Sequence, residues 1–191
     1  VPMKLLATAL LLAVAGPAAA QIVDTKEHRV RVVTVVGGLE RPWGLAFLPD
    51  GRMLVTERPG RLRVVERDGT LDPQPVAGLP RVDATGQGGL LDVVLHPRFA
   101  DNGWIYWSYV QRGDGGYGTE VARGKLAGTR GGYRLAQVQV LFRMQPKSGG
   151  GLHFGSRIVF GRDGFMYVTL GDRGTMRRAQ RLDDHAGKIL R

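Results

Sequence analysis

Cysteine is absent from this chain of 191 residues. That rules out a disulfide framework and leaves any exported form to be held together by its core alone. Lysine-rich runs are missing too. The formal charge of +10 raises the question of nucleic acid, yet the arginines stand singly, at Arg52, Arg58, Arg61, Arg63 and Arg67. The densest group is Arg173, Arg177, Arg178 and Arg181. A nucleic-acid footprint needs a patch or a stripe, so a solvated basic surface is expected and no nucleic-acid partner. No segment keeps a helical period. No glycine-rich dinucleotide fingerprint opens a helix, and a nicotinamide cofactor is not expected. The apolar run at residues 5–15 is too short to span a bilayer, so an integral membrane protein is not expected either.

What the chain has instead is glycine. Its 29 glycines fall at hairpin-like positions without the strict period of collagen, and 43% of its residues are hydrophobic. The length suffices for one domain with a real core. These features point to an all-β class rich in turns. Residues 3–20, MKLLATALLLAVAGPAAA, combine one lysine, an apolar stretch and a small-residue end. They read as a secretory signal peptide cleaved after Ala20, with Val1 and Pro2 standing before its methionine. A periplasmic or secreted location follows as an expectation. Domain 1–20 is then the signal segment and 21–191 the folded part.

The stretch 150–174, GGLHFGSRIVFGRDGFMYVTLGDRG, is a strand–turn–strand unit with polar chemistry on both flanks. Residues 157–160 and 165–170 are β-prone, and Arg162, Asp163 and Gly164 supply the turn. His153 precedes the first strand, and Asp172 follows the second between Gly171 and Arg173. Glycine here would let the backbone pass close to a flat ligand. Earlier, residues 22–36 alternate charge and valine as an edge strand does. Residues 45–48, 53–57 and 62–66 form a meander with turns at Asp50-Gly51 and Pro59-Gly60.

The meander and the later hairpin are copies. Leu45, Phe47, Asp50, Gly51, Met53, Val55 and Thr56 match Ile158, Phe160, Asp163, Gly164, Met166, Val168 and Thr169 in the same spacing. Residues 90–109 form a looser third copy. The interval of roughly 50 to 60 residues is in reach of propeller blades carrying loop insertions. A blade cannot bury both its faces alone, so blades stack around an axis. About three blades are expected over 21–191, part of a β-propeller incomplete at its C-terminus. Faces carrying Val55, Leu62, Tyr106 and Val168 are expected to stand open.

Four ordered motifs carry a family likeness: TGQGGLLDVVLHPRF at 85–99, GGLHFGSRIVF at 150–160, TLGDRG at 169–174 and HAGKILR at 185–191. Together they resemble the soluble sugar dehydrogenases that use pyrroloquinoline quinone, in the aldose sugar dehydrogenase branch. The resemblance implies a six-bladed propeller with the quinone in its axial cavity, an aldose substrate and an external electron acceptor. It implies that His153 takes the hydroxyl proton, that Asp172 stands beside it, and that Gln87 contacts the quinone. It also implies a Ca²⁺ ion held by residues of later blades, so no metal ligand is assigned in this chain. The glucose-specific branch carries an aspartate immediately before its histidine. Leu152 occupies that place here, which points away from strict glucose enzymes.

The chemistry agrees with these residue types. Oxidising an aldose at C1 to a lactone removes a hydroxyl proton as hydride leaves carbon, and imidazole, with an ordinary pKa of about 6.5, suits that task. A carboxylate can hold its tautomer and stabilise the imidazolium that forms. Blander uses are open. Asp172 also fits a turn between glycines, and His96, His185, Trp43, Trp104 and Trp107 read as structural or blade core. A propeller lactonase or hydrolase with metal ligands in the channel, and a non-catalytic binding propeller, are the alternatives.

Overall fold

The computed structural model describes residues 21–191, so the expected signal segment at 1–20 lies outside the described residues. The chain divides into two compact units that meet between Val35 and Val36. In the first, β1 (Gln21–Asp24) pairs antiparallel with β2 (Arg29–Val32). The single edge strand expected over residues 22–36 is therefore corrected to a hairpin, with 33–36 outside any strand. Its turn is closed by Thr25, which accepts the His28 N–H and donates to its carbonyl.

The second unit consists of three antiparallel sheets. Blade 1 orders β3 (Pro42–Phe47), β4 (Met53–Glu57) and β5 (Arg61–Val65). Blade 2 orders β6 (Leu90–Leu95), β7 (Trp104–Gly113), β8 (Gly116–Ala127) and β9 (Arg134–Arg143), with the short helix α1 (Phe99–Asn102) between its first two strands. Blade 3 orders β10 (Gly155–Phe160), β11 (Met166–Leu170) and β12 (Ile189–Leu190). The expected turns close two of the hairpins: Gly51 and Gly164 hold φ of 90° and 82°, a left-handed conformation that glycine adopts without a Cβ clash. Strands β8 and β9 carry no clean alternation in the sequence. Bulges shift their register between Val121 and Ala122 and between Arg123 and Lys125, and Gln137 has φ 53°, so the period of two is broken where it would be read.

The repeat is stricter in three dimensions than in the sequence. Each blade's inner strand is bulged just before the pairs Leu45–Val55, Val93–Trp107 and Ile158–Val168. At each bulge a hydroxyl on the second strand accepts a main-chain N–H. Gly44 donates to Thr56 Oγ1 at 2.8 Å, Asp92 to Ser108 Oγ at 2.9 Å, and Arg157 to Thr169 Oγ1 at 3.0 Å. The same hydroxyl then reaches into the following blade. Thr56 donates to the Leu91 carbonyl at 2.5 Å and Ser108 to the Ser156 carbonyl at 2.8 Å. Thr169 donates to no acceptor among the described residues. Asp92 strengthens the second junction by accepting the Ile158 N–H at 2.8 Å.

Apolar packing follows the same grammar. One buried cluster joins blades 1 and 2 through Ala46, Leu54, Leu62, Val93, Ile105 and Trp107. Another joins blades 2 and 3 through Tyr106, Val121, Ile158 and Val168. The expected open faces are therefore corrected: Val55, Leu62, Tyr106 and Val168 are all buried in or beside these junctions. The exposed positions lie instead on the first strands of blades 1 and 3. Leu45 is 50% exposed although its counterparts Val93 and Ile158 are 1% and 3% exposed, and Phe47 and Val159 are exposed as well. Alternation puts Leu45 and Val55 on a common side of the sheet only at the level of the strand pair. It does not say which pair has a neighbouring blade. Among the described residues no helix is long and apolar enough to cross a membrane.

Candidate functional site

The segments that enter β6 and β10 are glycine-rich because they pack backbone against backbone. A Cβ on Gly86 would overlap the Gly151 main chain, and a Cβ on Gly171 would overlap the His153 carbonyl. The glycines are thus used for close approach between loops, where the sequence suggested close approach to a ligand. Gln87 donates its N–H to the Gly151 carbonyl at 2.7 Å, and His153 returns its N–H to Gln87 Oε1 at 2.8 Å. This reciprocal pair joins 85–89 to 150–155. It leaves the Gln87 Nε2 donors without a protein partner among the described residues.

His153 Nδ1 lies 2.8 Å from Asp172 Oδ1. The imidazole hydrogen bond, aided by the Gly174 N–H at 2.9 Å, holds the Asp172 carboxyl below the usual carboxylate range. An ionised carboxylate only accepts, so Nδ1 carries a proton, and in the neutral imidazole the Nε2 lone pair is then free. The His153 side chain is 53% exposed and that of Asp172 22%. The three residues expected from the sequence therefore meet: Gln87 on the main chain of His153, Asp172 on its ring.

Gln87 and His153, though not Asp172, line an open cleft of about 330 Å³ together with Trp43, Arg58, Leu91, Phe154 and Gly155. Trp107 is blade core as expected and fully buried, but Trp43 is only half-buried and faces this cleft, with the Arg157 guanidinium 4.3 Å from its ring centroid. Arg58 follows β4 and donates to the carbonyls of Gly86 and Gly88, bracing the loop that carries Gln87. Phe154 is buried and its carbonyl accepts from Thr119 at 2.8 Å. Sequence reading missed Arg58, Phe154 and the cleft role of Trp43. All three act through contacts with residues tens of positions away, and the only local sign was a lone arginine before the Pro59-Gly60 turn.

His96 and His185 serve elsewhere. Each accepts a backbone N–H at Nδ1, from Arg98 at 3.0 Å and Gln145 at 2.9 Å. Among the described residues no three His, Asp or Glu side chains gather as a metal site.

Residues 39–191 match the family model described as Glucose / Sorbosone dehydrogenase. The aldose sugar dehydrogenase of Escherichia coli strain K12 is 42% identical over 164 residues, covering 85% of this chain and 43% of its own length. Its apo crystal structure superposes with a TM-score of 0.73 at 42% identity over 80% of this chain and 44% of its own. The quinone-bound aldose sugar dehydrogenase of Streptomyces coelicolor superposes with a TM-score of 0.70 at 28% identity, over 91% of this chain and 48% of its own. The chain thus spans about half the length of the curated relatives it matches, 45% and 43% for the first two.

Proposed function

This chain belongs to the glucose / sorbosone dehydrogenase family, and from that membership we propose that it carries the proton-transfer side of a quinone-dependent aldose dehydrogenase. The observation that carries the reading is His153, paired with Asp172 at 2.8 Å and lining a cleft together with Gln87. The free Nε2 of His153 accepts the C1 hydroxyl proton of the sugar as hydride leaves C1, and the sugar becomes the lactone. Asp172 keeps Nδ1 protonated during the step and stabilises the imidazolium that results. Gln87 orients the loop through His153 and keeps two amide donors for the ligand.

The lining suits a flat anionic ring. Trp43, Leu91 and Phe154 offer apolar surface, and Arg58 brings positive charge to the same wall. In this reading Trp43, Gln87 and Arg58 would hold the cofactor. Pyrroloquinoline quinone, when bound, supplies the hydride acceptor. Calcium, implied by the family likeness, is assigned to no residue of this chain. Export to the periplasm and an external electron acceptor belong to the same proposal.

The full-length protein loaded with the quinone and Ca²⁺ is expected to reduce an artificial acceptor with aldoses, and residues 21–191 expressed alone are expected to bind no quinone and to be inactive. His153→Ala should cut turnover by about 10²- to 10⁴-fold, the usual contribution of a positioned base. Equal activity with a nicotinamide cofactor, or turnover of the variant within a few-fold of the parent, would refute the reading.

A further inference from the structure

His153 has φ 50° and Arg173 φ 59°. A left-handed non-glycine residue is strained and persists only where its surroundings over-determine it. The two conformations are tied to each other, since the Arg173 N–H donates to the His153 carbonyl at 3.3 Å. The Arg173 side chain then turns back under the same loop. Its guanidinium donates to the carbonyls of Leu152 and Gly150, the latter at 2.8 Å, and lies 3.4 Å from the Phe154 ring centroid. It thus grips main-chain atoms of 150 and 152 and the ring of 154, on both sides of His153.

The cation is unusual in its company. Arg173 is 5% exposed, makes no ion pair among the described residues, and its Nε has no partner. Burial, with Arg178 nearby, pushes its pKa down to about 10. A buried charge normally has a counter-ion. Here carbonyl dipoles and an aromatic face stand in for one, and all of them belong to the loop that presents His153.

We propose that Arg173 is the positioning residue for His153: its planar fork fixes the 150–154 main chain so that the imidazole meets Asp172 at Nδ1 and turns Nε2 to the cleft. Asp172 immediately precedes Arg173 in the chain, so one short segment sets both the orientation of the ring and its hydrogen-bond partner. This role rests on the reading of His153 as the base. A displacement of about 1 Å at a reacting group can cost about 10²-fold in rate.

The test compares Arg173→Met, which keeps length and removes every donor, with Arg173→Lys, which keeps charge but reaches only one carbonyl. The first readout is the imidazole ¹⁵N spectrum of His153, which needs no catalysis. The parent should show the Nδ1–H form bonded to a carboxylate, the methionine variant a mixture of tautomers, and the lysine variant an intermediate pattern. In the quinone-loaded full-length protein the methionine variant should lose about 10- to 100-fold in kcat, with KM changed less than about threefold and the lysine variant between. If His153→Ala keeps parental turnover, the assignment of the base fails whatever Arg173 does. If His153→Ala is inactive while a folded Arg173 variant keeps both the parental spectrum and kcat, the positioning role is overturned. Should the methionine variant not fold, the lysine variant decides by the same two readouts.

Discussion

Replacing Thr56 by valine keeps the strand's β-branched shape and removes one hydroxyl. Thr56 is fully buried, accepts the Gly44 N–H at 2.8 Å and donates to the Leu91 carbonyl at 2.5 Å. Both partners would be left in a dry junction, and an unsatisfied buried polar group costs about 1–3 kcal/mol. The substitution is therefore expected to destabilise by about 2–4 kcal/mol, the lower half if the bulge relaxes. Thr169→Val is the internal control. It occupies the same register position but loses only the Arg157 N–H, at a half-exposed site, and should cost about 0.5–1.5 kcal/mol. Equilibrium urea unfolding reads both. With a slope of about 2–3 kcal/mol per molar, Thr56→Val should lower the midpoint by roughly 1 M and Thr169→Val by less than half of that. Equal midpoints for the two variants would refute the idea that the hydroxyl braces the junction between blades rather than its own strand pair.

Gly171→Ala places a Cβ against the His153 carbonyl. It should push the loop away, weaken the ¹⁵N signature of the His153–Asp172 pair and lower turnover about tenfold or more, while a parental spectrum would show that the loops have room to spare. Asp184 is held below its ordinary pKa of 3.8 chiefly by Arg178, 2.7 Å away. Because its folded value is depressed, the stabilisation is present above 3.8 and is lost as pH falls through the lower folded value. Unfolding free energy measured between about pH 5 and 2 should fall less steeply for Asp184→Asn than for the parent.

Much of the blade design was legible because it is local. Residues 53–57 were read as a strand and form β4 with those bounds, since β-branched residues between two glycine turns leave few alternatives. The His153 and Asp172 pair was legible for a similar reason. A hairpin returns its ends to one place whatever its register. What escaped notice depends on how separate hairpins approach. Trp43 reads as core by composition, and only the bulge ahead of Leu45 and the neighbouring blade decide that it borders the cleft. Arg173 reads as one member of a basic surface group, and only the fold buries it beneath the loop of His153.

The bracing hydroxyl also gives each blade a head and a tail. A donor leaves one side of the sheet, and a bulge carbonyl, as at Leu91 and Ser156, waits on the other. Two blades turned face to face would oppose donor to donor or carbonyl to carbonyl, so successive blades share one orientation and each junction repeats the turn of the last. Rotations of one sign accumulate into curvature instead of cancelling. The segments entering the inner strands, 85–89 and 150–155, sit at equivalent points of that arc and are swung toward its centre together. The meeting of Gln87 and His153, 66 positions apart in sequence, is on this view a property of the vector written into Thr56 and Ser108 before any catalytic residue is chosen.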